Sequence, residues 1–157
     1  MPTKITLRSG AFHVEGSIDE GADFAAIVAS TERPVRLFMR DVETITSFGT
    51  RAFRELVTAI GPEGVEIHEC PDCIVHSLNM SPNLLGLGGP ERVRSVMVPY
   101  RCRVCNITTD RVVRFEHVRV APTGVTIRTQ RCESCHEVLR AEVEPGEFLL
   151  FIVEGVR

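Results

Sequence analysis

The hydrophobic positions of this chain change period along its length, and the changes mark out its elements. Residues 4–7 and 11–16 read as two short strands around Ser9-Gly10; in the second, Phe12, Val14 and Gly16 alternate with His13 and Glu15. The spacing then turns helical: Phe24, Ile27 and Val28 fall at i, i+3 and i+4 of a helix over about 20–30, which Asp19 is placed to cap. Val35–Met39 reads as a partly buried strand, Arg40-Asp41 as a turn, and Val42–Ile45 as a short extended segment.

Thr46-Ser47-Phe48-Gly49-Thr50-Arg51 opens a second helix that reaches Ile60. Its apolar stripe is Phe48, Ala52, Phe53, Leu56, Val57 and Ile60; Arg51, Arg54, Glu55 and Thr58 face away, and Gly61-Pro62 stops it. Val65–Glu69 is a further strand, Pro71 a favourable first helical residue, and Cys73–Asn79 a short third helix. The loop over 81–90 is rich in glycine, but no strand runs through it into a helix, so it carries no nucleotide-phosphate signature. Arg92–Tyr100 is a strand that leads straight into Cys102. Beyond it Val112–Val120, Val125–Arg131 and Val138–Val143 alternate like strands of a small antiparallel sheet. The apolar Phe148–Val153 must bury itself, either on that sheet or on the first hundred residues. The order predicts an α/β domain over 1–99, a sheet with helices packed against it, and a small β domain over 100–157 joined to it tightly near Pro99.

Cysteine spacing gives the second part its chemistry. Cys102/Cys105 and Cys132/Cys135 are two Cys-x-x-Cys pairs with 26 residues between them. Four thiolates in two knuckles close a tetrahedral shell around one structural Zn²⁺ and leave no open position for substrate, which predicts a zinc ribbon. Iron suits a reduced four-cysteine site as well, and two disulfides or unliganded core thiols are the other fates open to these residues. A self-contained ribbon predicts that metal removal melts the last third first. Cys132-Glu-Ser-Cys135-His136 also spells a c-type haem attachment, but that reading leaves Cys102 and Cys105 without purpose. A third pair, Cys70-Pro-Asp-Cys73, stands at a strand-to-helix junction, where buried structural thiols, a redox pair and a second metal half-site are all open readings. His13, His68, His76 and His117 show no ligand spacing.

Composition and charge narrow the function. Of 157 residues 43% are hydrophobic and 25% charged, the balance of a globular chain. Met1-Pro2-Thr3-Lys4 lacks a basic-then-apolar signal pattern, so a cytoplasmic location with reduced thiols is expected. Residues 1–99 carry 9 basic and 13 acidic side chains and residues 100–157 carry 9 and 8, so neither part is a basic nucleic-acid footprint. No catalytic constellation or open metal site is present in the pattern, which predicts a protein that is not an enzyme.

The strand order and the junction Val42-Glu43-Thr44-Ile45-Thr46-Ser47-Phe48-Gly49 resemble a STAS domain, the fold of bacterial anti-sigma-factor antagonists. In that family a strand runs into an Asp-Ser-Ser/Thr-Gly turn and then a helix. Ser47 falls on the serine that a partner anti-sigma kinase phosphorylates and Gly49 on the glycine; Thr46 replaces the aspartate and Phe48 the second hydroxyl residue. The stretch from Cys70-Pro71 through Ile74-Val75 to Leu78-Asn79-Met80, followed by Val93–Tyr100 and a Cys-x-x-Cys, is similar to bacterial proteins that fuse such a domain to a zinc ribbon. The resemblance implies a STAS-like mixed sheet with helices on one side and non-catalytic signalling through a protein partner, an anti-sigma factor or kinase-like regulator.

Ser47 has two readings: the N-cap of the second helix, or a phosphorylation and partner-contact site. Phe48, Gly49 and Arg51 would surround it on a partner surface, although Phe48 also belongs to the helix's apolar stripe. Two rival functions stand beside this one. The first is nucleic-acid binding by the ribbon through Arg101, Arg103, Arg111, Arg114, Arg119, Arg128 and Arg131, with Tyr100 and Phe115 to stack on bases. The second is a thiol redox sensor at Cys70 and Cys73.

Overall fold

The protein is described by a computed structural model over residues 1–155. It is a mixed α/β fold with several sheets. Strands β1 (Lys4–Arg8) and β2 (Ala11–Ile18) form an antiparallel hairpin; β3 (Val35–Ile45) and β4 (Val65–His68) then add in parallel, in the order β1-β2-β3-β4. Parallel neighbours need crossovers, supplied by α1 (Ala25–Val28) and α2 (Ser47–Ile60). Phe12, Val14, Ile18, Leu37, Met39, Val65 and Ile67 are buried in one apolar core with Ile27 of α1, Phe53, Leu56 and Val57 of α2, and Ile74 and Leu78 of α3 (Asp72–Met80). Phe24 meets Phe53 edge-on at 6.0 Å. The opposite sheet face is only half covered: His13, Phe38 and His68 stand in register on β2, β3 and β4 and stack side by side, with centroids 5.1 and 4.9 Å apart.

Two expectations for this part change. Arg40-Asp41 is no turn, because β3 runs unbroken through it. Its register against β2 shifts there and again near Ser17, and the extra residues move the inward positions from Val35, Leu37 and Met39 to Val42. A bulge, not a break, reconciles two runs of opposite phase. The first helix is a single turn, and Asp19 does not cap it: Asp19 Oδ1 accepts from the amide of Gly21, while Asp23 Oδ1 accepts from Ala25.

Strand β5 (Ser95–Cys102) joins the two parts of the chain. Glu69, in the left-handed region at φ 53°, swings the chain off β4 so that Cys70 lies parallel beside Val96. The amide of Cys70 donates to Ser95 O, that of Met97 to Cys70 O, and that of Arg94 to Ile67 O. Along its length β5 also pairs antiparallel with β6 (Ile107–Arg114), and at Tyr100 and Arg101 with β9 (Arg140–Ala141). Residue 99 therefore lies inside a strand, and the apolar core is continuous from Phe12 to Phe151.

The C-terminal strands are shorter than their alternation suggests. The 112–120 run divides into β6, a 3-10 turn at Phe115–His117, and β7 (Val118–Ala121), which pairs with β8 (Gly124–Ile127) in a separate hairpin. Phe148–Val153 is helical, in α4 (Pro145–Phe148) and α5 (Leu150–Gly155), and Leu149 and Phe151 are fully buried. Asn79 at the end of α3 clamps the segment: Nδ2 donates to Phe148 O at 2.9 Å and Oδ1 accepts from the Phe151 amide at 3.0 Å. None of the described helices is long and apolar enough to cross a membrane.

Asn79→Ala removes both bonds and leaves a part-buried carbonyl and amide unpaired, an expected loss of about 2 kcal/mol. Urea titration checks the magnitude, and hydrogen exchange is expected to show the lost protection concentrated at residues 148–153.

Candidate metal centre and the turn at Ser47

The two Cys-x-x-Cys knuckles share a backbone feature. Cys102 ends β5, and Cys132 follows Arg131, which bridges to Val138. In each knuckle the residue after the second cysteine is left-handed: Asn106 at φ 53° and His136 at φ 60°. That conformation turns the chain back so that amides point at sulfur. The Cys105 amide donates to Cys102 Sγ at 3.4 Å, and the amides of Cys135 and Ser134 bond to Cys132. The His136 amide returns to Cys132 O at 3.0 Å.

All four Sγ atoms lie within 4.8 Å of one another, with Cys102–Cys135 at 3.4 Å and Cys105–Cys132 at 3.9 Å. A tetrahedron of sulfurs at metal–sulfur bonds of about 2.3 Å has edges of about 3.8 Å, whereas a disulfide is about 2.05 Å. The cluster is compatible with one metal ion and joins the two knuckles crosswise. Its electrostatics also ask for a cation. The amides of Cys135 and then Ser134 pull the Cys132 thiol down to about 6, while the neighbouring Cys135 thiol and burial push Cys105 up to about 12. Cys132 is thus the more readily ionised of the two, and a positive charge among the four sulfurs would favour the thiolate form of both. Arginines tie the loops down: Arg101 reaches Asn106 Oδ1 at 2.7 Å, Arg131 donates to His136 O at 3.0 Å, and Arg111 pairs with Glu133.

The left-handed conformations of Asn106 and His136 do not follow from the cysteine spacing. Asn directly after a Cys-x-x-Cys is a usable signal, since its short polar side chain tolerates that conformation; His gives a weaker one. His136 is an exposed turn residue, and both of its neighbouring cysteines belong to the four-sulfur cluster, which leaves none for haem.

Cys70 and Cys73 lie apart from this cluster, at the start of α3. Cys70 is fully buried, and burial raises its thiol well above the ordinary range; burial also raises Cys73, whose Sγ faces Val42 O at 3.8 Å. Both are free thiols held protonated, the opposite of the thiolate character that reactivity requires. Of the two aromatics offered for base stacking, Tyr100 is buried with its hydroxyl on Arg128 O, and Phe115 packs against Phe151 at 6.0 Å.

The turn before α2 assigns its cap to a different residue. Thr46, not Ser47, is the N-cap, its Oγ1 accepting from the Gly49 amide at 3.0 Å. The Thr46 amide donates to Ile18 O at 2.9 Å, pinning the helix start to the end of β2. Gly49 is buried under that contact: a Cβ there would lie 1.9 Å from Ile18 O. Gly49 therefore shapes the turn and offers no surface of its own. Phe48 is 66% exposed, so it leaves the inward stripe, and Ser47 is exposed beside it. Arg51 lies on the outer face, paired with Glu55 at 3.1 Å. An open groove of about 900 Å³ runs from this turn between α2 and α3, lined among others by Thr46, Ser47, Arg51, Arg54, His76 and Met80. Met80 is 73% exposed.

No protein-family model, no curated protein and no solved structure matches the chain.

Two tests follow from this geometry. Gly49→Ala is expected to cost about 3 kcal/mol or prevent folding, because backbone must move, and Thr46→Ala about 1 kcal/mol. Ser47→Ala should change stability by less than about 0.5 kcal/mol; a Ser47 variant as damaging as Thr46→Ala would return the cap to Ser47. For the cluster, native mass spectrometry should find one metal ion per chain, lost in Cys132→Ser. Because β5 is shared, chelation should strip amide protection from β2–β4 together with the ribbon, in place of the separate melting a self-contained ribbon predicts.

Proposed function

We propose that this protein is a non-enzymatic regulatory module of the anti-sigma-factor-antagonist type, with a structural zinc in its C-terminal part. The observation that carries the reading is the exposure of Ser47 and Phe48 side by side at a rigid helix start, where Ser47 also lines the groove between α2 and α3. An exposed phenylalanine on a turn pinned by Thr46 and Gly49 is a preorganised anchor, and aromatic anchors dominate interface energetics. The partner is a protein of the anti-sigma or kinase-like class, as the resemblance of the Thr46–Gly49 junction implies.

Freed from capping, the Ser47 hydroxyl is available for modification. Phosphate at the first position of α2 gains from the helix dipole and lies one turn from Arg51, whose present partner is the exposed Glu55. It would add a charge of about −2 beside the anchor and alter what docks there. Zinc is the reading for the metal because four cysteines with no open position serve structure rather than chemistry. The mass of the retained ion separates it from iron.

Photo-crosslinking from position 48 in living cells is expected to capture one protein. That partner, titrated against purified variants, should bind Phe48→Ala at least tenfold more weakly and Ser47→Glu with altered affinity, both variants keeping the wild-type Tm. Equal affinities for wild type and both variants would overturn the proposal.

A further inference from the structure

A second recognition site lies away from the Ser47 groove and is independent of it. A hollow of about 590 Å³ opens between the end of β4, β6 and the segment that leads from β8 to Cys132. Arg114, His117, Arg128 and Arg131 converge on it from sequence positions up to 17 residues apart, and Thr129 adds a hydroxyl. Glu69 is the one carboxylate among its lining residues, and Arg40 already holds that charge at 3.0 Å. Outside the lining, Glu116 lies 3.7 Å from both Arg114 and His117, and the Glu116 and Arg114 side chains are 64% and 69% exposed, so solvent screens that contact. Arg128 forms no ion pair among the described residues. Arg131 spends one nitrogen on His136 O and keeps the rest of its fork free.

Arginine forks converging on one concavity match the oxygens of a phosphoryl group, which accept several charge-assisted hydrogen bonds at once. The surroundings limit the ligand further. Tyr100 is buried and Phe115 is packed on Phe151, and neither lines the hollow. We infer that the hollow formed by Arg114, Arg128, Arg131 and His117 binds a phosphoryl group through its oxygens alone. The group comes either from a free phosphorylated small molecule or from a nucleic-acid backbone. The net charge of −3, which makes this hollow a local basic feature rather than part of a basic face, fits the free ligand.

The test uses the metal-loaded full chain. Titration with inorganic phosphate, followed by ³¹P NMR, should show saturable binding that Arg114→Ala/Arg128→Ala weakens at least tenfold. Arg131 is left in place because it steadies the knuckle. Metal content and Tm should match wild type, and Arg128→Lys should retain part of the affinity. A twelve-residue oligothymidylate, read by fluorescence anisotropy, forms the second arm. If it binds more tightly than phosphate and weakens in the double variant, the phosphoryl group belongs to a nucleic acid; if it binds no better, the ligand is small. The absence of saturable phosphate and oligonucleotide binding, or equal binding by the double variant, would overturn the assignment.

Discussion

Everything in this molecule hangs on the hydrogen bonds that place β5 beside the end of β4. They form because Glu69 adopts a left-handed conformation, which redirects the chain after four residues of β4 and lets Cys70 donate to Ser95 O and accept from the Met97 amide across the gap. With that link made, one strand serves two sheets. Its first half closes the α/β core and its last residue is a cysteine of the four-sulfur cluster. The knuckle has no freedom to wander from the rest of the fold, and the core has no edge strand exposed on that side. Asn79 makes a second tie between the same two parts, reaching 69 to 72 residues along the chain to Phe148 and Phe151.

The same logic of close approach fixes the turn before α2. Ile18 O accepts from Thr46 and at the same time sits where a Cβ of residue 49 would be, so the helix can start there only with glycine in its first turn. Capping by Thr46 completes the constraint with side-chain chemistry. The cost of forming the turn is met entirely by residues 46 and 49, and this leaves residues 47 and 48 facing solvent with no structural duty. The exposed serine and phenylalanine on this pinned turn are the pair on which the proposed partner surface rests.

The parts of the structure legible in the sequence are those governed by local period or by covalent spacing. The helix over 47–60, the strands at 11–18 and 65–68 and the four metal-cluster cysteines follow from apolar repeats and from the x-x between thiols. What escaped was decided at long range or by backbone geometry. The bulge in β3 turns two out-of-phase apolar runs into one strand, and period alone reads such a change as a break. Phe48 fits the helical stripe on paper, but the stripe's first turn passes over the end of β2, where there is room for a glycine and for nothing beside it. The helical form of 148–153 depends on Asn79, which no local window contains.

Charge is arranged differently in the two halves. A four-thiolate site around a divalent cation carries a net charge of about −2, and three arginines of the second half are spent close to it: Arg101 and Arg131 on knuckle backbone and side chains, Arg111 on Glu133 between the last two cysteines. Of the others, Arg114 is paired with the exposed Glu116, and Arg128 forms no ion pair among the described residues. Arg131 belongs to both arrangements, since one nitrogen of its guanidinium fixes the knuckle and the others face the hollow. The backbone of the knuckle therefore bears on the shape of the hollow through Arg131. The knuckle at Cys132 and the basic concavity beside it are thus tied together by one side chain.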